Sequence, residues 1–248
     1  MACVVLLGGL IYLSNQGKLD VSNVDTNALQ SANENNGNIS DHTFGNAKSK
    51  VTLIEYGDFQ CPGCGTAHPY IKSLTEKYKD QISFTFRNFP LTSMHPNALT
   101  AAAAAEAAGL QGKYWELHNT IFENQADWQS LSSDERTDYF VNLAKTAGLD
   151  ANKFRTDFTT NTSINKKIKY DQALGKKVGV TGTPQFMLNG EHLDQYVKDG
   201  KIVPQGTEGA NPIWSDQDAL ETLILIPALK KAGIELPKVD TPAAKAEK

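Results

Sequence analysis

Hydrophobic positions divide the central part of the chain into short strands and one long helical block. Residues 51–56 (VTLIEY) are apolar and β-branched, which is typical of a buried strand, and residues 81–88 (QISFTFRN) alternate as a second strand. A helix is predicted between them, over about 62–79. From residue 96 to about residue 178 apolar positions recur at helical spacing, beginning with an alanine-rich run. The pattern predicts the α/β fold class, with a helical insertion.

The remainder of the apolar pattern returns to strand character. Residues 185–188 (QFML) predict a strand, and Asn189-Gly190 is a strong hairpin signal before residues 191–193. Residues 194–214, rich in Gly and Pro, are typical of a surface loop. Ser215 is expected to cap a last helix.

The N-terminal end begins with residues 2–13 (ACVVLLGGLIYL), an uncharged apolar run. The run is shorter than the roughly 20 residues of a spanning helix, and it lacks the flanking charge and cleavage site of a signal peptide. We predict that residues 1–13 are a partial membrane anchor or signal segment. A buried core strand is the alternative interpretation.

The next segment, residues 14–38, is polar and rich in asparagine, which predicts a flexible polar linker. The folded domain is predicted over residues 39–236, with the helical insertion at about 96–178. Residues 237–248 are predicted to be a disordered tail. This organisation indicates a domain outside the cytoplasm, anchored to the cell membrane by its N-terminus.

Composition narrows the class of protein. Of 248 residues, 40% are apolar and 21% charged, which excludes a fully disordered chain, a fibrous protein and a multi-pass membrane protein. The net charge of −4 leaves no basic surplus to neutralise phosphates, so we expect no nucleic-acid partner.

Candidate chemistry lies in Cys61-Pro62-Gly63-Cys64, directly after the first strand and at the start of the first helix. The free N–H groups and the dipole at a helix start stabilise a thiolate, so Cys61 is predicted to have a lowered pKa and to be the nucleophile. Pro62 suits the first helical position, where its missing N–H costs nothing. Cys64, one turn further on, is predicted to be the more buried, resolving thiol.

Two other interpretations of the cysteine pair are a zinc site and an inert structural disulfide. Structural zinc needs four ligands. The only other cysteine, Cys3, lies in the apolar N-terminal run, and the five histidines show no paired ligand spacing. We therefore predict no metal site and no cofactor. A strand-to-helix junction favours a reactive pair over an inert one.

Residues 55–64 (EYGDFQCPGC) resemble the active-site segment of the thioredoxin superfamily, and most closely its DsbA-like thiol–disulfide oxidoreductases. The resemblance covers about residues 43–234 and implies a thioredoxin-like fold with an inserted helical domain. It places Glu55 where the superfamily has a buried acid that shuttles a proton to the resolving thiol. The residues alone leave open a strand glutamate that faces solvent. Pro69 corresponds to the proline that interrupts the active-site helix.

Thr183-Pro184 stands immediately before the strand at 185–188, where the superfamily has a cis-proline that faces the cysteine pair. The residues alone favour an ordinary trans proline at a strand start. The resemblance implies that extended substrate pairs with the backbone of Thr183 beside the reactive sulfur. The predicted substrate-binding residues are Thr183, Pro184, Phe59, Pro62 and Gly63, with Phe59 in an apolar rim around the site.

The resemblance implies an extracytoplasmic enzyme that introduces disulfide bonds into reduced, unfolded secreted or surface proteins. It implies reoxidation by a membrane partner of the DsbB or vitamin K epoxide reductase type, and we expect a monomer. Pro-Gly replaces the Pro-His between the cysteines of the best-known members, and Thr183 replaces Val, which leaves the oxidising strength open. A disulfide reductase or isomerase on the same fold and a tethered Cu(I)-binding module are the alternatives.

Overall fold

The computed structural model describes residues 19–237. The predicted anchor at 1–13, the first part of the predicted linker and nearly all of the predicted tail lie outside these residues. The strands are β1 (Thr43–Gly45), β2 (Thr52–Gly57), β3 (Ser83–Asn88), β4 (Gln185–Leu188), β5 (Glu191–His192), β6 (Tyr196–Lys198), β7 (Lys201–Val203) and β8 (Asn211–Pro212). The first seven helices are α1 (Pro62–Lys77), α2 (Ala98–Gly109), α3 (Tyr114–Glu123), α4 (Gln125–Trp128), α5 (Ser133–Thr146), α6 (Ala151–Thr160) and α7 (Thr162–Lys177).

A last helical segment, α8, spans residues 217–231. It begins as α-helix at Gln217–Ala219, widens to a π-helix over Leu220–Leu225 and returns to α-helix at Ile226–Lys231. Pro227 lies where the π-helix ends, and its missing N–H and its ring disfavour the normal helical hydrogen bond at that point. The side chain of Asp216, rather than that of Ser215, caps the segment by accepting a hydrogen bond from the Ala219 N–H.

The central sheet has five strands in the order β1-β3-β2-β4-β5. Only the β2–β3 pair is parallel, and α1 forms the crossover between these two strands. β2 and β3 are buried along almost their whole length because helices cover both faces of the sheet. Asn189 and Gly190 both have positive φ in the tight turn between β4 and β5, as the hairpin signal predicts.

The two faces of the sheet pack against different helices. Leu53 and Phe186 belong to an apolar cluster with α1 and α8, whereas Ile54 and Met187 face a cluster that includes Leu174 of α7. The segment predicted as a helical insertion contains α2 to α7, which enclose a third cluster around fully buried aromatic side chains. Its helix α5 begins with a capping box between Ser132 and Glu135. Pro69 lies inside α1, as the resemblance implies.

The structure differs from the predicted linker over residues 19–38. This segment lies against the domain: Val21 and Asn36 are buried, and Asn33 and Asn36 form a capping box around a single 3₁₀ turn at Glu34–Asn36. The Nζ atom of Lys177 in α7 donates to the carbonyl oxygens of residues 21, 22 and 24 at 2.6–2.9 Å. The linker prediction is therefore wrong for these residues, because asparagine side chains and backbone carbonyls provide the contacts that apolar side chains do not. We call residues 19–38 the N-terminal strap.

Arg87 of β3 attaches the strap to the sheet, and its side chain is fully buried. Its guanidinium donates to the carbonyl oxygens of Thr26 and Ala28 at 2.5 and 2.9 Å, to the hydroxyl of Tyr56 at 3.0 Å and to the carboxylate of Asp41 at 2.9 Å. A buried guanidinium is stable only when its donors are satisfied, so these bonds determine where the strap lies.

Lys167 extends this network into α7. Its Nζ atom donates to Asp41 at 2.8 Å and to Asp171 at 2.6 Å, and all three side chains are about 1% exposed or less. Although burial raises the pKa of Asp41, Lys167 and Arg87 hold it well below its usual value. The ionic network thus joins the strap, the sheet and α7 inside the protein.

Residues 194–214, predicted to be a surface loop, instead contain a second, three-stranded sheet in the order β7-β6-β8. Val197 of β6 is buried, and Gly200 and Gly206 adopt positive φ at turns. The strands are two or three residues long, too short for an alternating pattern to stand out from the glycines around them. Among residues 19–237 no helix has the length and hydrophobicity required to cross a membrane.

Candidate active site

The reactive cysteine stands at the start of α1. Strand β2 ends at Gly57, and a tight loop leads to Cys61, which has an extended backbone and occupies the N-cap, with Pro62 next to it inside the helix. Pro62 is exposed, whereas Cys61 is 7% exposed. The local sequence explains the geometry, because a proline at the first helical position has no N–H to leave unpaired. The sulfur of Cys61 therefore lies at the positive end of the helix dipole.

Cys64 lies one helical turn further on and is fully buried. The backbone N–H of Asp58 donates to its Sγ at 3.4 Å. Burial raises the pKa of the Cys64 thiol well above its ordinary value, and its hydrogen bond to Cys61 raises it further. Neither cysteine takes part in a disulfide bond in this structure. Cys64 is thus the protonated partner of the pair.

The pKa of Cys61 is shifted in the opposite direction. A hydrogen bond from Cys64 is the main cause that lowers the pKa of Cys61 to about 5, against the effect of burial. Hydrogen bonds from Thr183 and from the backbone N–H groups of Cys64 and Gly63 lower it further. At neutral pH Cys61 is therefore a thiolate, the form that attacks disulfides and leaves from them.

Glu55 lies in the middle of β2 and is 3% exposed. Burial, and then the negative charge of Cys61, raises the pKa of Glu55 to about 8, so its carboxyl is protonated at neutral pH. The solvent-facing alternative is therefore wrong. A cavity of about 20 Å³ lies beside Glu55 and His118, with room for one water molecule. Lys72 and Glu76 also line this cavity.

The peptide bond between Thr183 and Pro184 is cis, and these residues face the cysteine pair. The Sγ of Cys61 lies 3.3 Å from the carbonyl oxygen of Thr183. The Thr183 hydroxyl is buried and has no hydrogen-bond partner among residues 19–237 besides the sulfur of Cys61. Neither backbone group of Thr183 pairs with another backbone group in that part of the chain. An extended peptide would therefore find, beside the nucleophile, a backbone that no other strand pairs with.

Gly63 faces Pro184 across the site. A Cβ at position 63 would lie 3.1 Å from the Cδ of Pro184 and 3.7 Å from the Sγ of Cys61. This spacing is tighter than ordinary van der Waals contact, so glycine lets the helix start approach the proline. The Pro-Gly dipeptide thus fits the close packing of the two halves of the site.

Phe59 does not belong to the surface of the site. It is 1% exposed, and its ring packs against Phe86, Phe122 and His118 at centroid distances of 4.7–5.3 Å. The prediction that Phe59 forms an apolar rim for substrate is wrong, because the loop turns its side chain into the core of the inserted helices. Phe59 supports the loop from below.

Two residues that the sequence analysis did not single out hold the cysteine loop. Asp58 accepts hydrogen bonds from the backbone of Gln60 and Leu91 and from His95, each at 2.8 Å. Gln125 of α4 donates to the carbonyl oxygens of Phe59 and Cys61 at 2.7 and 3.0 Å. No local pattern marks Gln125, which lies 64 residues from Cys61 in sequence. In the described part of the chain no three acidic, His or Cys side chains group as metal ligands.

Comparison with known proteins gives a consistent picture of the fold. A thioredoxin family model matches residues 37–202. A thioredoxin-like oxidoreductase from Silicibacter pomeroyi DSS-3 is 25% identical, with a TM-score of 0.51 over 73% of this chain and 90% of that chain. Wolbachia pipientis alpha-DsbA1 shares the fold at 22% identity, with a TM-score of 0.59 over 77% of this chain and 92% of that chain. Oxidised BdbD from Bacillus subtilis also shares it, at 18% identity, with a TM-score of 0.58 over 83% of this chain and 97% of that chain.

These comparisons confirm the predicted thioredoxin-like fold, which the chain shares with solved DsbA-like proteins.

Curated relatives carry a different name. A Na(+)/H(+) antiporter NhaA 1 from Salinispora arenicola is 35% identical over 150 residues, which is 60% of this chain and 22% of the relative. The antiporter of the same name from Mycolicibacterium vanbaalenii is 34% identical over 153 residues, 60% of this chain and 23% of the relative. The chain thus spans about a fifth of the length of these relatives.

Proposed function

The chain belongs to the thioredoxin family, and from that premise we propose that it is a DsbA-like oxidoreductase that introduces disulfide bonds into other proteins. The observation that carries the proposal is the contrast between the two cysteines. The pKa of Cys61 is lowered to about 5, and burial raises that of Cys64. A stabilised thiolate at Cys61 favours the reduced enzyme, and hence transfer of the disulfide to substrate.

The reaction starts from the enzyme with a Cys61–Cys64 disulfide. A substrate thiolate attacks the Sγ of Cys61, a mixed disulfide forms, and the sulfur of Cys64 leaves with the electron pair of the broken bond. Glu55, protonated at neutral pH, is the nearby acid that supplies a proton to Cys64.

A second substrate thiolate then attacks the substrate sulfur of the mixed disulfide, and Cys61 leaves as a thiolate. Two substrate thiols have become one disulfide, and the two electrons rest on the enzyme dithiol.

Substrate contact follows from the unpaired backbone of Thr183. An extended chain that pairs with this backbone would place its own cysteine beside Cys61, with Pro184, Pro62 and Gly63 around it. Such pairing recognises the backbone of the substrate rather than its side chains, which suits an enzyme that acts on many unfolded proteins.

The wider setting is part of the same proposal. The substrates are reduced secreted or surface proteins, and the enzyme works outside the cytoplasm, where disulfides persist. It is a monomer held to the membrane by its N-terminus, and a membrane protein of the DsbB or vitamin K epoxide reductase type reoxidises it. A disulfide reductase or isomerase is the alternative, and it would use the same cysteine pair to reduce or rearrange substrate disulfides. A Cu(I)-binding module has less support, since within residues 19–237 no His, Cys or acidic side chain joins Cys61 and Cys64 in a group of three metal ligands.

The redox potential of the Cys61–Cys64 pair tests the direction. Equilibration in glutathione buffers should give a value near about −120 mV, that of a strong oxidant. A value near about −270 mV would mark a reductant and overturn the direction. In a parallel assay with a disulfide-bonded substrate protein, the Cys61 thiolate of the Cys64→Ser variant should attack the substrate disulfide and accumulate as a mixed disulfide while the other substrate sulfur leaves as a thiolate, and Cys61→Ser should form none. Copper uptake that persists in Cys61→Ser would remove the metal alternative.

A further inference from the structure

The surface of α7 carries a row of lysines on the side opposite the buried network. Lys166, Lys169 and Lys176 recur at spacings of three and seven residues, which places them on one side of the helix. All three are exposed, and none forms an ion pair within residues 19–237. Lys167, one residue along, points inward to Asp41 and Asp171. The helix therefore has an internal charge that is paired and an external row that is not.

A cavity of about 850 Å³ lies between this row and the strap, and we call it the lysine groove. Four lysines line it, including Lys177, against the single carboxylate of Glu34. Leu19, Val21 and Ala173 contribute an apolar floor. A cationic rim over apolar surface matches the chemistry of an anionic lipid headgroup, in which a phosphate stands above hydrocarbon.

The position of the strap determines on which face of the domain the preceding segment of the chain is attached. Lys177 donates hydrogen bonds to the carbonyl oxygens of Val21, Ser22 and Val24, so this part of the strap is fixed to the end of α7. Leu19 consequently lies in the floor of the lysine groove. The chain that leads back toward the apolar run departs from the same face as the unpaired lysines.

The distance from that face to the apolar run is short. Residues 14–18 are the only ones between the run at 2–13 and Leu19. Five residues reach at most about 18 Å when fully extended. With a freely moving linker of residues 14–38 the domain could turn any face to the membrane, but the fixed strap removes this freedom.

We propose that the lysine groove is a docking surface for anionic lipid headgroups, and that it holds the domain on the membrane with this face inward. The proposal rests on the N-terminal anchoring that is part of the proposed function. A membrane anchor that does not span the bilayer, such as a single acyl chain, binds weakly unless a second contribution such as a basic patch is added, and the lysine groove would supply that contribution to the short apolar run. Each lysine close to an anionic surface contributes a factor of about five in affinity, so three contribute on the order of a hundredfold.

The test measures binding of the full chain to phosphatidylcholine vesicles with and without phosphatidylglycerol. We expect binding to be on the order of a hundredfold tighter with the anionic lipid at low salt, and this preference to shrink as salt screens the charges. The triple variant Lys166→Gln, Lys169→Gln, Lys176→Gln should lose most of the preference and keep the binding due to the apolar run. A control triple variant, Lys48→Gln, Lys79→Gln, Lys201→Gln, removes the same charge from exposed positions elsewhere and should keep the preference.

Three results would overturn the proposal: no preference for anionic lipid in the unmodified chain, an equal loss in both triple variants, or an unchanged preference in the first. The last result would also be expected if residues 1–18 or a second copy of the chain occupied the groove. Disulfide formation in a soluble reduced substrate, measured on the same preparations, should be equal in all three proteins. A failure of the lipid assay with intact disulfide formation would therefore refute the docking surface and leave the enzymatic proposal standing.

Discussion

The Sγ atom of Cys61 lies 3.3 Å from the carbonyl oxygen of Thr183, although 122 residues separate them in the chain. The contact joins the start of α1 to the entry of β4, on either side of the inserted helices. It places the nucleophile beside the backbone proposed to pair with substrate. The site therefore combines the four-residue motif with a contact between parts of the chain that are distant in sequence.

The Thr183 hydroxyl should tune the nucleophile. Replacement by Val removes a hydrogen bond to the thiolate, so Thr183→Val should raise the pKa of Cys61 by about one unit. The ultraviolet absorbance of the thiolate as a function of pH measures this value. Thr183→Ser keeps a hydroxyl and should remain close to the unmodified protein. An unchanged titration in Thr183→Val would show that the hydroxyl has no part in stabilising the thiolate.

Two buried glutamates should respond to substitution in opposite directions. The pKa of Glu55 is about 8 in the folded protein, whereas its ordinary value is 4.5. Between these pH values Glu55 is ionised in the unfolded chain but protonated in the folded protein, so the free energy of unfolding falls as pH rises. Glu55→Gln should therefore remove this loss and raise the free energy of unfolding at pH 7 by up to about 3 kcal/mol. Urea unfolding over a pH series measures the effect.

Glu106 is the matched control for Glu55. It is also buried, but its partners His42 and Asn88 more than offset the effect of burial and lower its pKa. Glu106→Gln should destabilise the protein, most strongly above the ordinary pKa of a glutamate. A loss of stability in both variants would mean that Glu55 is not held in its neutral form.

Neighbouring lysines on α7 should differ sharply in their contribution to stability. Lys167→Met leaves the carboxylates of Asp41 and Asp171 buried without their shared cation, and should lower the free energy of unfolding by about 3–5 kcal/mol. Lys166→Met changes an exposed side chain and should shift the free energy of unfolding by less than about 0.5 kcal/mol. Similar urea midpoints for the two variants would contradict the buried network.

Truncation should separate the strap from the segment before it. Removal of residues 1–18 should leave stability and activity on a soluble substrate unchanged. Removal of residues 1–38 deprives Arg87 of the carbonyl oxygens of Thr26 and Ala28, and should cost several kcal/mol and most of the activity at physiological temperature. This outcome differs from that of a flexible linker, which would be removed without effect. Circular dichroism melts of both truncated proteins decide between the two.

The site could be predicted from the sequence where its signals are local. The strand before Cys61, the proline after it and the spacing of the pair are all contained in residues 51–64. Lys167 is different, because nothing in its immediate neighbours distinguishes it from the exposed Lys166. Its partner Asp41 lies 126 residues earlier. Gln125 and the strap were missed for the same reason, since their hydrogen bonds go to backbone groups that are distant in sequence.

The strap also determines the order in which the molecule can be assembled. Its partners Tyr170 and Lys177 follow it by 140 to 156 residues, so the strap cannot complete its contacts until α7 exists. Contacts of such sequence separation are slow to form, because a long loop must close first. On a growing or translocating chain, residues 19–38 would therefore complete their docking only after the sheet and the inserted helices have formed. This docking would be the last step in folding of the domain.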